Sequence, residues 1–331
     1  MEIGSRRSVY WRAPFGRLTY ALDAPSCAEN TIFDLASLTK VIATTSLVMT
    51  AVAAKRLTLD TTVARLWPAW EEGARAAITV RHLLDHSSGL PAHARLWETA
   101  NDRAGYQAAL AATALQRTPG ASSVYSDLGF ILLGFALERM AHLALDKQFQ
   151  DLDMGTPEMW FMPTDSLKSR IAPTEVDPWR ARLLVGEVHD ENAAALGGVA
   201  GHAGLFGTAQ SVGAFARLVS KTFEEPTVLG GPDLMRQFAS RTAVPNSSRA
   251  LGWDTMLPSS SCGRFFTEHA IGHTGFTGTS LWLDPVLDLY VVLLTNRVHP
   301  TRDHNALIAL RPLIHEAAIE DARAEGLISQ N

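Results

Sequence analysis

The sequence predicts an α/β protein whose sheet is built from both ends of the chain and interrupted by a mainly helical insert. Three observations carry this. Strand-type residues cluster near the N-terminus and again near the C-terminus, the centre reads as helices and loops, and no low-complexity linker or internal repeat separates the parts. Strand edges must pair, and a central insert is the simple way for two terminal groups of strands to share one sheet. The expected division is residues 1–58 with 200–331 for a discontinuous α/β domain, and 59–199 for the mainly helical one.

Taken in order, residues 8–20 are rich in aromatic and β-branched side chains and read as one or two strands. Residues 36–56 lack Gly and Pro and are apolar nearly all round, which predicts a buried helix of several turns. In the centre, residues 80–84, 104–116 and 126–141 read as helices, and the Pro-containing stretch 155–178 as loop. After a Gly-rich segment, Thr208 is placed to cap a helix running to about Phe223. Residues 279–283 and 288–295 flank a turn at Asp284-Pro285 and predict an antiparallel hairpin, followed by an amphipathic helix over 305–324.

Composition narrows the class. The 331 residues allow about two domains at roughly 150 residues each. With 47% hydrophobic and 19% charged residues the chain can build a core, and general disorder is excluded. Lys plus Arg number 29 against 34 Asp plus Glu, a net charge of −5, so nothing suggests a nucleic-acid partner. Two cysteines, Cys27 and Cys262, cannot form a disulfide scaffold or a Cys-based zinc site. No apolar run approaches the roughly 20 residues of a membrane span. The pair Arg6-Arg7 is not followed by an apolar h-region, so the sequence as it stands predicts a cytoplasmic protein, or an exported one if its start is truncated.

The sharpest chemical feature is Ser37-Leu38-Thr39-Lys40, at the start of the apolar helix. Positions i and i+3 lie about 60° apart around a helix axis, so the two heads can meet. A serine hydroxyl needs a base, and a lysine serves if burial lowers its pKa. The helix N-terminus adds N–H groups where an oxyanion develops. By itself S-x-x-K recurs by chance, and a helix start with an exposed lysine is the bland reading. Tyr125-Ser126-Asp127 places a phenol on a loop running into a helix, where it can shuttle a proton, although a loop tyrosine more often packs. His273-Thr274-Gly275 precedes a strand, and its glycine permits close approach of a ligand to backbone.

Together the three motifs resemble the S-x-x-K, Y-x-N and K-T-G motifs of the serine penicillin-recognising family: class C β-lactamases, DD-peptidases and their esterase relatives. The flanks FDLASLTKV, ITVRHLLDHSSGLP, YSDLGFILLG, GGVAGHAGLF and GHTGFTGTSLWLDP are similar to family segments too, and they span residues 33–285. The resemblance implies an antiparallel sheet flanked by helices, with an inserted all-helical domain and the site between them. It implies Ser37 as the nucleophile that forms an acyl-enzyme, Lys40 as its proton acceptor or relay, and Tyr125 as a second proton carrier. The backbone N–H groups of Ser37 and Phe276 would form the oxyanion hole, with His273, Thr274 and Gly275 along the substrate strand.

Two positions depart from the family pattern. His273 stands where the lactamase type has Lys, so it attracts a substrate carboxylate less strongly while remaining able to hydrogen-bond to Tyr125. Asp127 stands where Asn is usual, and its carboxylate either pairs with Lys40 and holds it protonated, or repels an anionic substrate. Both changes favour an esterase or peptidase-like hydrolase over a β-lactamase. The alternatives are a true β-lactamase or DD-peptidase, and a non-catalytic penicillin- or peptidoglycan-recognising binding protein.

The expected partner is a small ester, amide or β-lactam, with no cofactor and no metal, and the oligomeric state stays open. His82 and His86 have the i, i+4 spacing of a zinc pair but lack the H-E-x-x-H arrangement, so structural roles are expected. The cluster His189-Asp190-Glu191-Asn192 reads as a hydrogen-bonded loop. Residues 197–207 are Gly-rich without G-x-G-x-x-G spacing, and no G-x-S-x-G elbow occurs.

Overall fold

A computed structural model describes residues 1–100 and 102–329. Its main sheet has six antiparallel strands, in the order Val9–Arg12, Glu2–Gly4, Leu289–Leu293, Ser280–Asp284, Ile271–Thr274 and Asp254–Thr255. Residues from the two ends therefore lie in one sheet, joined where Ile3 faces Val291. The predicted hairpin pairs Ser280–Asp284 with Leu289–Leu293, Leu281 facing Val292.

All ten hairpin residues are buried, and their alternation explains how. Leu281, Leu283, Tyr290 and Val292 join a core that includes Val212 and Phe215 of the helix Ala209–Thr222. Trp282, Leu289 and Val291 point the other way, onto Ala318, Ile319 and Ala322 of the helix Ala306–Ala324. Successive strand side chains point to opposite faces. A sheet covered by helices on both faces thus reads as a continuous apolar run. Each such side chain contributes about 1.5–3 kcal/mol on burial.

The N-terminus differs from the expectation. Only Val9–Arg12 of residues 8–20 is a strand, and Glu2–Gly4 is an additional one. Its signal was hidden because Glu2 is a fully buried carboxylate. The fold makes this tenable by surrounding it: Arg12 Nε donates to Glu2 at 2.6 Å, Arg217 Nη1 at 2.9 Å and the Tyr290 hydroxyl at 2.6 Å.

A second sheet brings the site segments together. Leu205–Gly207 lies between Phe33–Asp34 and Met159–Phe161. This corrects the reading of residues 155–178 as loop, since that stretch supplies the strand Met159–Phe161 and a 3₁₀ helix, Asp165–Arg170. Three-residue strands are too short for alternation to register. A further strand pair, Val176–Asp177 with Arg182–Leu183, also falls within residues 59–199. The helix Arg103–Ala112 ends earlier than predicted, and Thr113 leaves the helix in an extended conformation.

The remaining helices follow their signals. Ser126 caps Asp127–Ala141 by accepting from Gly129 N at 3.2 Å, and Thr208 caps Ala209–Thr222 by accepting from Ser211 N at 3.2 Å. The apolar helix after Ser37 begins with a π-helical stretch, Lys40–Thr45, and continues as α-helix over Ser46–Ala53. Wide turns of this kind often sit at functional sites. Among the described residues no single helix is long and apolar enough to cross a membrane.

Candidate active site

Ser37 lies in a tight turn between Phe33–Asp34 and the π-helical stretch. Asp34 Oδ1 accepts from Ala36 N at 2.8 Å and Oδ2 from His189 N at 2.7 Å, so one buried carboxylate fixes the turn. Burial raises the Asp34 pKa, with these N–H groups opposing it. Ala36 has φ +46°, a left-handed conformation that a non-glycine residue adopts only where its surroundings hold it.

The turn after His273 is fastened to the same segment. Thr277 Oγ1 donates to Asp34 O at 2.7 Å, and Thr279 Oγ1 to Leu35 O at 3.0 Å. Gly275 is required here, because a Cβ would lie 2.6 Å from Leu35 O and collide with Thr279 Oγ1. The turn that carries Phe276 is thereby held against the segment that leads into Ser37. The Phe276 ring is 50% exposed and stacks 5.6 Å from His189.

Lys40 is the centre of the polar network. Its Nζ donates to Ser37 Oγ at 2.9 Å, Asp127 Oδ1 at 2.7 Å and His202 O at 3.1 Å. An ammonium has three protons, and here each has an acceptor. Burial pushes the Lys40 pKa down, but the charges and hydrogen bonds of Asp127 and Tyr125 outweigh it and leave the pKa raised. This corrects the expectation of a burial-lowered lysine: the carboxylate at position 127 decides the sign. Of the two alternatives for Asp127, pairing with Lys40 is the one observed. Burial alone would raise the Asp127 pKa, but Lys40 above all holds it well below the carboxylate range.

Tyr125 packs against this pair, with Lys40 Nζ 5.0 Å from its ring centroid. Burial raises the phenol's pKa, opposed by Lys40 and by a hydrogen bond to Ser37, so Tyr125 is a neutral phenol at neutral pH. His273 Nδ1 donates to Thr274 O at 2.8 Å. The expected bond from His273 to Tyr125 is not made. Nε2 is buried without a hydrogen-bond partner among the described residues, and the two rings are 5.7 Å apart. Burial, with the charges of Arg249 and Lys40, holds the His273 pKa well below the usual value, so this imidazole is neutral. Thr274 ends the strand Ile271–Thr274.

Ser37, Lys40, Tyr125, Asp127, His273, Thr274, Gly275 and Phe276 thus converge on one region. Sequence reasoning missed several neighbours. Arg249 lies with its guanidinium carbon 4.9 Å from the Tyr125 ring centroid, in a polar loop without a motif to mark it. His86, expected to be structural but not placed at the site, is buried with its ring centroid 4.6 Å from that of Tyr125, and its Nδ1 accepts from Ser126 N at 3.0 Å. His82 instead accepts from Thr79 N at 3.3 Å, so the two histidines serve separate structural roles. Beneath Lys40, His202 Nε2 pairs with Asp190 Oδ1 at 2.7 Å, and Asp190 caps the helix Glu191–Ala195. His189 pairs with Glu175 at 2.9 Å, and Arg302 bridges Glu175 and Glu191 at 2.7 and 2.8 Å. The His189-Asp190-Glu191-Asn192 cluster, expected as a loop, is hydrogen-bonded but turns into that helix at Glu191, and it forms a wall of the site. Among the described residues no group of His, Cys, Asp or Glu is arranged to hold a metal ion.

Similar proteins share this frame. The putative D-alanyl-D-alanine carboxypeptidase of Escherichia coli (strain K12) is 28% identical over 308 residues, covering 82% of this chain and 70% of that protein. Unliganded simvastatin synthase from Aspergillus terreus superposes with a TM-score of 0.73 at 20% identity, covering 96% of this chain and 92% of that one. A penicillin-binding protein homologue from Caulobacter crescentus gives 0.73 at 19% identity, covering 96% and 91%. At such identities these structures establish the fold, an antiparallel sheet flanked by helices of the β-lactamase and DD-peptidase type. A family model described as Beta-lactamase matches residues 10–316, nearly the whole chain and every residue of the Lys40 network, and the protein belongs to this family of serine hydrolases.

Proposed function

We propose that the protein cleaves an ester or amide by acyl transfer through Ser37, with ester hydrolysis its readiest reaction. The observation that carries this is the contact of Ser37 Oγ with Lys40 Nζ at 2.9 Å, with Asp127 behind the lysine. Lys40 rests as an ammonium, so it becomes a base only by passing a proton to Asp127 Oδ1. The freed amine then takes the Ser37 proton as Oγ bonds to the acyl carbon. Tyr125, a neutral phenol, hands a proton to the leaving group and later helps activate water. The N–H groups of Ser37 and Phe276 receive the oxyanion, and His273, Thr274 and Gly275 line the strand along which substrate lies.

The ester preference follows from charge. A neutral His273 presents no cation to a carboxylate, whereas β-lactams carry one. A second reading, a DD-peptidase acting on peptides with a free carboxylate, is favoured by Arg249. Its guanidinium sits beside Tyr125, and the related proteins named as putative carboxypeptidases point the same way.

The test uses p-nitrophenyl esters of graded chain length, nitrocefin and a fluorescent penicillin, on the wild type and on Ser37→Ala. Ester turnover abolished in Ser37→Ala is the expected result. A stable penicillin adduct without turnover of any substrate would mark a binding protein. Cephalosporin turnover approaching that of simple esters would refute the ester preference, and undiminished hydrolysis by Ser37→Ala would refute the nucleophile.

A further inference from the structure

Asp127 presents each of its two carboxylate oxygens to a different base. Oδ1 accepts from Lys40, whose side chain is 0% exposed, and Oδ2 lies 3.6 Å from Nδ1 of His93, whose side chain is 44% exposed. The arrangement is built rather than incidental. Asp127 N donates to Ala92 O at 2.9 Å, Ser126 Oγ to Pro91 O at 2.6 Å and Asn192 Nδ2 to Ala94 O at 3.0 Å, so the backbone on both sides of His93 is tied to the site. Trp97 packs on the imidazole with ring centroids 5.6 Å apart.

We propose that His93 is a positioning residue that carries the serine proton out to solvent, along a path running from Ser37 Oγ through Lys40 Nζ and Asp127 to His93 Nδ1. This rests on the reading of Ser37 as nucleophile and Lys40 as its base. Asp127 Oδ1 takes a proton from the Lys40 ammonium. The amine takes the Ser37 proton as the Oγ–carbon bond forms and the carbonyl electron pair moves onto its oxygen. The neutral carboxyl turns about Cβ–Cγ and gives its proton to the lone pair on Nδ1 of neutral His93, whose own N–H is on Nε2. Lys40 is again an ammonium and Asp127 a carboxylate, and the one net change besides the new C–O bond is an imidazolium at the mouth of the site. Positive charge thus appears on the half-exposed ring rather than accumulating where nothing is hydrated.

The charges facing His93 suit an acceptor. The carboxylates of Asp127, Asp190 and Glu191 all favour its protonated form. Its pKa is raised above the ordinary 6.5, chiefly because Asp127 favours the protonated ring, against the pull of burial. Below that pKa His93 already holds a proton and cannot take another, so acylation should weaken as pH falls through it.

The test measures first-turnover release of p-nitrophenol from a p-nitrophenyl ester between pH 5 and 9. His93→Asn keeps a polar side chain beside Asp127 but cannot accept a proton. The expected result is acylation slowed by roughly a hundredfold or more, the range for a lost proton carrier, together with loss of the acid limb at the His93 pKa. In the unaltered protein, the NMR titration of His93 should coincide with that limb, which tests the path even if the variant folds poorly. A wild-type limb and rate in His93→Asn, or an NMR pKa that does not match the limb, overturns the path. Acylation that survives Ser37→Ala overturns the nucleophile instead, so the two failures are distinguishable.

Discussion

Lys40 and Asp127 form an ion pair in which the ammonium is wholly buried and the carboxylate 20% exposed, separated by 2.7 Å. Burial and the neighbouring carboxylate pull the lysine in opposite directions, and the carboxylate wins. In Asp127→Asn an acceptor remains near Nζ but the charge is gone, so burial acts without its main opponent and lowers the lysine pKa. The acid limb of acylation is then expected to leave the His93 titration and to follow the lysine instead. The variant should also become insensitive to His93→Asn, because its amine no longer needs an outlet for a proton. First-turnover pH profiles of the two single variants and the double variant check both points, and an unmoved acid limb in Asp127→Asn would count against the pair's control of the base.

The hairpin, the capped helices and the three motifs were legible because each has a local signature: apolar runs of strand length, a Ser or Thr at an N-cap, a fixed residue pattern. What escaped was of another kind. Glu2–Gly4 is a strand whose first side chain is a carboxylate buried by Arg12, Arg217 and Tyr290, partners up to 288 residues away. Arg249 and His93 belong to loops, and only the fold brings them to Tyr125 and Asp127. The sign of the Lys40 shift was legible only as one of two alternatives for Asp127, since the choice between them depends on a 2.7 Å contact with a residue 87 positions on.

Gly275 offers a test of how Ser37 and Phe276 are held together. A methyl group there meets Leu35 O and Thr279 Oγ1, both parts of the fastening between the two turns. Overpacking of this kind typically destabilises by about 1–3 kcal/mol. Gly275→Ala should lower the denaturant midpoint accordingly and reduce ester kcat more than it raises KM, because the oxyanion donors shift while the mouth of the site is unchanged. Wild-type kcat in a folded Gly275→Ala protein would show that the fastening does not set the oxyanion geometry.

Glu175 links the wall of the site to acid stability. Burial pushes its pKa up, but His189 and Arg302 together bring it down from 4.5 to about 2. A carboxylate with a depressed folded-state pKa stabilises the fold above its unfolded value, and that contribution is lost as pH falls through the folded one. The stabilisation from Glu175 should therefore be complete above about pH 4.5 and disappear towards pH 2. Glu175→Gln, compared with wild type by thermal melting from pH 6 to pH 2.5, should be less stable at pH 6 and converge with wild type at the acid end. Parallel curves over that range would exclude the linkage.

Arg249 separates the two substrate readings. Its guanidinium carbon stands 4.9 Å from the Tyr125 ring centroid, and its charge adds to burial in keeping both His273 and His86 neutral. Arg249→Gln removes that charge while keeping a polar side chain. If a substrate carboxylate docks there, the loss of a charge-assisted bond worth about 1.5–3 kcal/mol lowers kcat/KM by roughly ten- to a hundredfold or slightly more. Neutral esters, which make no such contact, should be hydrolysed within about twofold of wild type. The His273 and His86 pKa values should rise together in the variant, since both lose a repelling cation, and NMR titration of the two rings reads this directly. A selective loss on carboxylate-bearing peptides or depsipeptides favours the peptidase reading. Equal rates on both substrate classes, with the imidazole shifts present, leave Arg249 an electrostatic neighbour of Tyr125 and favour the esterase.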